Sequence, residues 1–95
     1  MDYKDRYTLE FKDNLESLAI NNIKLKSIIK KAIDIILENP YIKSEFIEQL
    51  GCRRKHAGGD KYRIFYNIEK GEIHFYALRL KNKRVYKEKI KFDIL

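Results

Sequence analysis

Hydrophobic positions follow two different periods along the chain, and the change falls at Pro40, the only proline. Before Pro40, apolar residues recur every three to four positions over residues 23–38, which is the period of an amphipathic helix. After Pro40, runs rich in aromatic and β-branched residues are typical of strands. The pattern therefore predicts a helical first half and a second half built from strands.

The first half contains one short strand and two helices. Tyr7, Leu9 and Phe11 alternate with polar residues, which predicts a strand over residues 7–11. Asp13 or Asn14 can cap the helix that follows. The Asn21-Asn22 pair predicts a tight link to a second helix over residues 23–38, which ends at Asn39-Pro40. The two helices should form a hairpin that packs on a sheet.

The second half should consist of strands joined by short loops. Residues 46–50 indicate an irregular or helical bridge, and strands are predicted at residues 51–56, 62–68, 73–80 and 84–86. Gly71 supplies the positive φ that a hairpin loop over residues 69–72 needs. The predicted fold class is α+β in the order β-α-α-β-β-β-β: an antiparallel sheet of four to five strands with the helix hairpin on one face and the other face open. Residues 90–94 alternate again and could add to an edge or to a partner.

Length and composition exclude several classes of protein. Ninety-five residues of 11.5 kDa are enough for one domain, over residues 1–95, with 44% hydrophobic content typical of a folded chain. No stretch is long and apolar enough for a membrane span, and the first residues lack the apolar segment of a signal peptide. Cys52 is the only cysteine, so no intramolecular disulfide can form, and we expect a reduced, cytoplasmic setting.

The positive charge is confined to the second half. Residues 1–50 contain 8 Lys and Arg against 9 Asp and Glu, whereas residues 51–95 contain 13 against 5, which gives this half a net charge of +8. Such a charge favours a polyanion partner, of which nucleic acid is the commonest. The alternative is a lysine-rich surface that serves solubility alone.

Cations and tyrosines interleave on the predicted strands. Neighbouring strands can bring the cations together as one anion-binding patch, whose candidate RNA-binding residues are Arg53, Arg54, Lys55, His56 and Lys81. Tyrosine rings between them can stack on bases. The alternative interpretation is solvated strand charges with tyrosines in the core, and for Tyr62 and Tyr66 the core is favoured.

Such a patch could cleave RNA without a metal ion. The 2′-OH of RNA is the nucleophile, so the site must accept its proton, stabilise charge on phosphorus and protonate the leaving oxygen. Arg63 and Arg79 suit charge stabilisation, and His56 titrates in the right range for acid–base work. Lys55 or Lys83 could act as the base, and Tyr86 as the donor or a stacking ring. The two histidines do not have metal-ligand spacing with any carboxylate pair, and no phosphate-binding glycine loop is present.

Two runs resemble the RelE/ParE toxin superfamily. Residues 59–66, GDKYRIFY, are similar to the family strand G-x-Y-R-I-x-Y, and residues 78–86, LRLKNKRVY, are similar to its ending L-R-I-G-H-R-x-x-V-Y. The chain length, the opening strand, the helix hairpin and Asn39-Pro40 match as well. The resemblance spans nearly the whole chain.

The resemblance implies the toxin of a type II toxin–antitoxin pair. RelE-like members cut mRNA in the ribosomal A site without a metal or other cofactor, and ParE-like members poison DNA gyrase. The catalytic residues carried over are Arg63, Arg79, Lys83, Arg84 and Tyr86. Asn82 and Lys81 stand where many relatives have His and Gly, and because an amide cannot transfer a proton, acid–base work would move to Lys83, Tyr86 or His56.

The expected partners follow from the same resemblance. They are a cognate antitoxin of the acidic, helical RelB-like kind, in a complex that can reach a heterotetramer, together with the ribosome and mRNA. The dense cation cluster favours the ribonuclease branch, with gyrase inhibition, a catalytically weak binding module or a plain RNA-binding domain as alternatives.

Overall fold

The computed structural model describes residues 3–20, 22–81 and 89–95. Within these ranges the elements are β1 (Lys4–Tyr7), α1 (Leu9–Ala19), α2 (Ile23–Glu38), β2 (Ser44–Ile47), β3 (Cys52–Ala57), β4 (Tyr62–Glu69) and β5 (Glu72–Leu80). The α+β class and the order β-α-α-β-β-β-β are thereby confirmed.

The described strands form one mixed sheet in the order β1-β5-β4-β3-β2. β2 to β5 pair with their neighbours in the antiparallel sense, as expected for strands joined by short loops. β1 instead runs parallel to β5, which corrects the expectation of an all-antiparallel sheet. No hairpin connects β1 to β5, so nothing local forces the two strands into opposite directions.

The beginning of α1 differs from the prediction. The strand ends at Tyr7 rather than at residue 11, and Thr8 caps the helix in place of Asp13 or Asn14. The Thr8 hydroxyl oxygen accepts from the Phe11 amide at 3.1 Å, which satisfies one of the free N–H groups of the first turn. Alternation up to Phe11 suggested a strand, but Leu9 is 58% exposed, so only part of the alternating set faces the core.

Replacing Thr8 with alanine should lower the free energy of unfolding by about 2 kcal/mol. The hydroxyl both caps α1 and donates to the Tyr76 carbonyl at 2.6 Å, which joins the helix to the sheet. Urea unfolding followed by circular dichroism measures the loss. Thr8→Ser keeps the hydroxyl and should recover most of the stability, whereas Ser27→Ala, on an exposed part of α2, should change it little. Equal losses for Thr8→Ser and Thr8→Ala would contradict this role.

α2 has the predicted limits. It runs from Ile23 to Glu38, and Asn22 caps it by accepting from the Leu25 amide at 3.0 Å. It ends at Asn39, immediately before Pro40. The residues that it buries are Ile29, Ala32, Ile33 and Ile36. None of the described helices has the length and apolar character needed to span a membrane.

The second half differs from the prediction at its first strand and agrees with it at β4 and β5. The bridge predicted over residues 46–50 begins within a strand, β2. This strand forms the edge of the sheet, and β3 lies inside it. β4 and β5 lie where predicted, and their tight turn has positive φ at both Lys70 and Gly71. The strand predicted over residues 84–86 falls outside the described residues.

Two apolar clusters lie on opposite faces of the sheet. The helices cover one face, where Phe11, Ile29, Ile64 and Phe75 belong to the main core. The other face was expected to be open, but Ile90 and Ile94 of the C-terminal segment contribute to a second cluster on it. A bulge between β4 and β5 opposite Phe65 turns consecutive residues of β5 toward this cluster. On the side of this cluster toward the turn between β3 and β4, the face carries His56, Arg63 and Arg79.

Candidate nucleic-acid interface

A group of basic side chains lies together on the face of the sheet away from the helices, near the turn between β3 and β4. Strand register places His56 of β3 opposite Arg63 of β4, and Arg63 opposite Arg79 of β5. Arg54 lies two positions from His56, and Lys81 two positions from Arg79, so both are on the same face by strand alternation. We call Arg54, His56, Arg63, Arg79 and Lys81 the cation face. Because residues directly opposite in a sheet are about 5 Å apart, this arrangement concentrates positive charge.

The two other cations of β3 lie on the opposite face, which corrects the expectation of one patch for all of them. Arg53 donates to the Ser44 hydroxyl at 3.1 Å, and its guanidinium lies 5.0 Å from the centre of the Tyr41 ring. Lys55 donates to the Ile42 carbonyl at 3.1 Å, and burial followed by the Lys43 charge lowers its pKa. Arg53 and Lys55 thus hold the segment that leads into β2.

Arg63 is the most deeply buried member of the cation face, with 4% of its side chain exposed. Its Nη1 donates to the backbone carbonyls of Asp60 and Tyr62, and its Nη2 donates to the Asp60 carboxylate at 3.2 Å. Its Nε has no hydrogen-bond acceptor among the described residues. Because this Nε is buried, its desolvation cost is not offset by any hydrogen bond from the described residues.

Arg54 has a similar arrangement on the neighbouring strand. Its Nη2 contacts the Glu45 carboxylate of β2, while its Nε is buried and has no acceptor within the described part of the chain. Arg54 and Arg63 are diagonal neighbours in the register of β3 and β4. Two adjacent guanidinium groups therefore each have one buried Nε donor that finds no acceptor among the described residues.

Arg79 is engaged with the first helix. Its Nε and Nη2 donate to the two carboxylate oxygens of Glu10 at 2.9 and 3.2 Å, a two-point contact between β5 and α1. Its guanidinium also lies 5.8 Å from the centre of the Phe65 ring. Only 8% of the side chain is exposed, because most of it is packed against its partners. Arg79 therefore connects α1 to the sheet, and its charge also adds to the cation face.

Asp60 lies at the centre of the cation face, and the sequence-based prediction missed it. Its carboxylate contacts His56 Nδ1 at 3.3 Å, Arg63 Nη2 at 3.2 Å and Lys81 Nζ at 2.8 Å. The hydrogen bond from Lys81 is the main reason that the pKa of Asp60 is lowered. An acidic residue in a turn between two basic strands was the available signal, but the strand register decides which cations it reaches.

His56 is the titratable group on this face that can exchange a proton near neutral pH. Burial is the main factor that lowers its pKa below 6.5, the Arg63 charge lowers it further, and Asp60 opposes both. The imidazole is therefore mostly neutral at pH 7 and available as a proton acceptor. About half of the side chain is exposed, so a substrate can reach it.

Three predicted catalytic residues, Lys83, Arg84 and Tyr86, lie outside the described residues. The part of the chain that the structure describes contains no group of three His, Cys, Asp or Glu side chains placed to hold a metal ion. What the described part of the cation face offers is cationic hydrogen-bond donors and the imidazole of His56.

The fold and the site together define a small basic α+β protein with a helix hairpin on one sheet face and a cation cluster on the other. Residues 2–85 match the family model of the ParE toxin of type II toxin–antitoxin systems, parDE. The chain belongs to this family of the RelE/ParE superfamily, and a toxin of this kind implies a cognate antitoxin partner. No curated protein and no solved structure matches the chain.

Proposed function

We propose that this toxin cuts mRNA on the ribosome, without a metal ion, by attack of a 2′-OH on the adjacent phosphate, and so inhibits translation. The observation that carries the proposal is the cross-strand row of His56, Arg63 and Arg79, with Arg54 and Lys81 on the same face. A row of guanidinium groups beside an imidazole fits phosphodiester chemistry, because charge stabilisation and proton transfer are needed within one nucleotide.

Each residue of the cation face has a role in this proposal. Arg54 and Arg63 supply guanidinium charge beside the scissile phosphate, and Lys81 adds charge from the residue after β5. His56 accepts the proton of the 2′-OH. Arg79 holds α1 against β5 through its ion pair with Glu10, and it adds positive charge at one end of the row.

The remaining roles rest on the resemblance. Tyr86 would stack on the base next to the cut or protonate the leaving oxygen, and Lys83 and Arg84 would contact the phosphate. Arg53 and Lys55 would contact RNA only beyond the sheet edge, because their side chains face the other side of β3. The partners proposed are an acidic, helical, RelB-like antitoxin in a heterotetramer, the ribosome and mRNA, with residues 1–95 acting as one RelE-like domain in the cytoplasm.

Inducible expression followed by primer-extension mapping of cellular mRNA tests the proposal. We expect breaks with codon periodicity inside translated frames, and Arg63→Ala or Tyr86→Phe should reduce cutting by about 10²-fold or more. Lys26→Ala, which removes an exposed cation from α2, is the control and should cut normally. Because Arg63 is buried, Arg54→Gln serves as a second variant, with circular dichroism to confirm folding. Unchanged cutting in all variants would refute the residue roles.

Inhibition of DNA gyrase is the second candidate, and the family match favours it, because the matched family is that of ParE toxins. Paired charges such as Arg79–Glu10 and Arg54–Glu45 also suit a surface that binds a protein rather than RNA. A supercoiling assay with purified gyrase separates the two. Blocked supercoiling together with intact mRNA would replace the ribonuclease proposal by this one.

A further inference from the structure

Asp60 neutralises the cation face from within the same chain. It follows Gly58 and Gly59, which both have positive φ, in the turn between β3 and β4. Its side chain is 64% exposed, yet its two carboxylate oxygens contact basic side chains from β3, from β4 and from the residue after β5. A carboxylate this exposed gains little from its ion pairs, because water and salt screen them.

The contacts of Asp60 are those that a phosphate would make. One oxygen bridges His56 Nδ1 and Arg63 Nη2, and the other accepts from Lys81 Nζ at 2.8 Å. Phosphate oxygens are bound in proteins by the same combination of guanidinium and ammonium donors. With Asp60 in place, the Nη1 and Nη2 atoms of Arg63 are both engaged and its Nε is buried, so a phosphate would reach this guanidinium by taking the place of the carboxylate at Nη2.

We propose that Asp60 is an internal occupant of the anion site: its carboxylate fills a phosphate position in the free toxin, and RNA binds by displacing it. The inference rests on the proposed function in taking RNA as the polyanion. It adds a displacement step before RNA binds. The affinity of the site for RNA is lowered, because the phosphate that enters must compete with a carboxylate already present at high effective concentration.

The displacement needs only a rotation of the Asp60 side chain. The backbone carbonyl of Asp60 accepts from Arg63 Nη1 at 3.0 Å, and the next carbonyl, of Lys61, accepts from the Lys81 amide at 2.7 Å. These bonds hold the turn while the carboxylate swings into solvent. Rotamer changes of exposed side chains are fast, so the exchange need not limit binding.

The test measures binding of a single-stranded 2′-O-methyl RNA of about 12 nucleotides to the purified full chain by fluorescence anisotropy. This probe cannot be cut, because its nucleophile is blocked. Asp60→Asn should bind it roughly five- to tenfold more tightly than the unaltered chain, because the competing charge is gone. The dependence of log K on log salt should steepen by about 0.7, as expected for one further phosphate contact.

Asp34→Asn is the matched control. It makes the same chemical change and raises the net charge equally, but Asp34 is exposed on α2, on the other face of the sheet. The affinity of Asp34→Asn for the RNA should stay within about twofold of that of the unaltered chain, and its salt dependence should not change. A second variant, Asp60→Ala, should bind as tightly as Asp60→Asn, and thermal unfolding of each variant confirms that it is folded.

The outcomes separate this inference from the proposed function. Tighter binding by both Asp60 variants supports the internal occupant, whether or not mRNA is cut. If primer-extension mapping then shows no cutting, only the nuclease proposal fails. Unchanged or weaker binding by the Asp60 variants overturns the internal occupant and leaves the nuclease proposal standing if mRNA is cut. No binding by any form means that no anion site exists and overturns both.

Discussion

Replacing His56 with alanine is expected to slow mRNA cleavage about a hundredfold while changing RNA affinity only a few fold. General base catalysis by a positioned imidazole contributes about 10²- to 10⁴-fold, whereas a mostly neutral imidazole adds little charge for RNA binding. The imidazole is within reach because about half of its side chain is exposed. Single-turnover cleavage on programmed ribosomes, with RNA affinity measured separately, gives both quantities.

The pH dependence of cleavage provides the control for this prediction. The pKa of His56 is lowered, so the imidazole is deprotonated at neutral pH and becomes protonated only as the pH falls below 6.5. Cleavage by the unaltered chain should therefore be constant around pH 7 and fall at lower pH, and His56→Gln should lose that fall together with most of the rate. A variant that keeps the full rate, or the same acidic decline, would contradict His56 as the base.

Replacing Phe75 with alanine is expected to lower the free energy of unfolding by about 3–5 kcal/mol. Phe75 is fully buried on β5, and its ring centre lies 5.1 Å from that of Tyr7, 5.4 Å from that of Phe11 and 6.0 Å from that of Tyr66. The ring thus joins β1, α1 and β4, and its removal leaves a cavity where three elements meet. A loss of this size is a large part of the stability of a small domain.

Urea and thermal unfolding measure the effect of Phe75→Ala. Phe46→Ala is the matched control, because it removes the same ring from edge strand β2, where half of the side chain is exposed. Its cost should be no more than about 1 kcal/mol. Equal losses for the two variants would mean that the aromatic cluster around Phe75 does not hold the elements together.

The sequence predicted an element well where the residues that fix its limits lie within or next to the element. It predicted an element less well where contacts with distant residues fix those limits. α2 was predicted well, because its apolar stripe lies within the segment and the Asn21-Asn22 link and Pro40 lie directly beside it. The turn of β4 and β5 was predicted from Gly71 for the same reason. The start of α1 was missed because the alternation up to Phe11 fits both a strand and the first turn of a helix, and only the contact of Thr8 with Tyr76 decides between them.

The candidate site was predicted less completely than the fold. The sequence identified the cations, and strand alternation alone separates Arg54 and His56 from Arg53 and Lys55 once the limits of β3 are known. The carboxylates that pair with the cations were not predicted. Glu10 is 69 positions from Arg79 in the chain, and no local pattern connects them.

The sequence by itself determined the order of helices and strands, the concentration of positive charge in the second half and the family of the chain. These properties depend on residues a few positions apart or on composition. The tertiary structure alone decided that His56, Arg63 and Arg79 form one row and that Asp60 lies among the cations. The reason is that strand register and burial, which set distances between charges, arise from packing between segments that are distant in the chain.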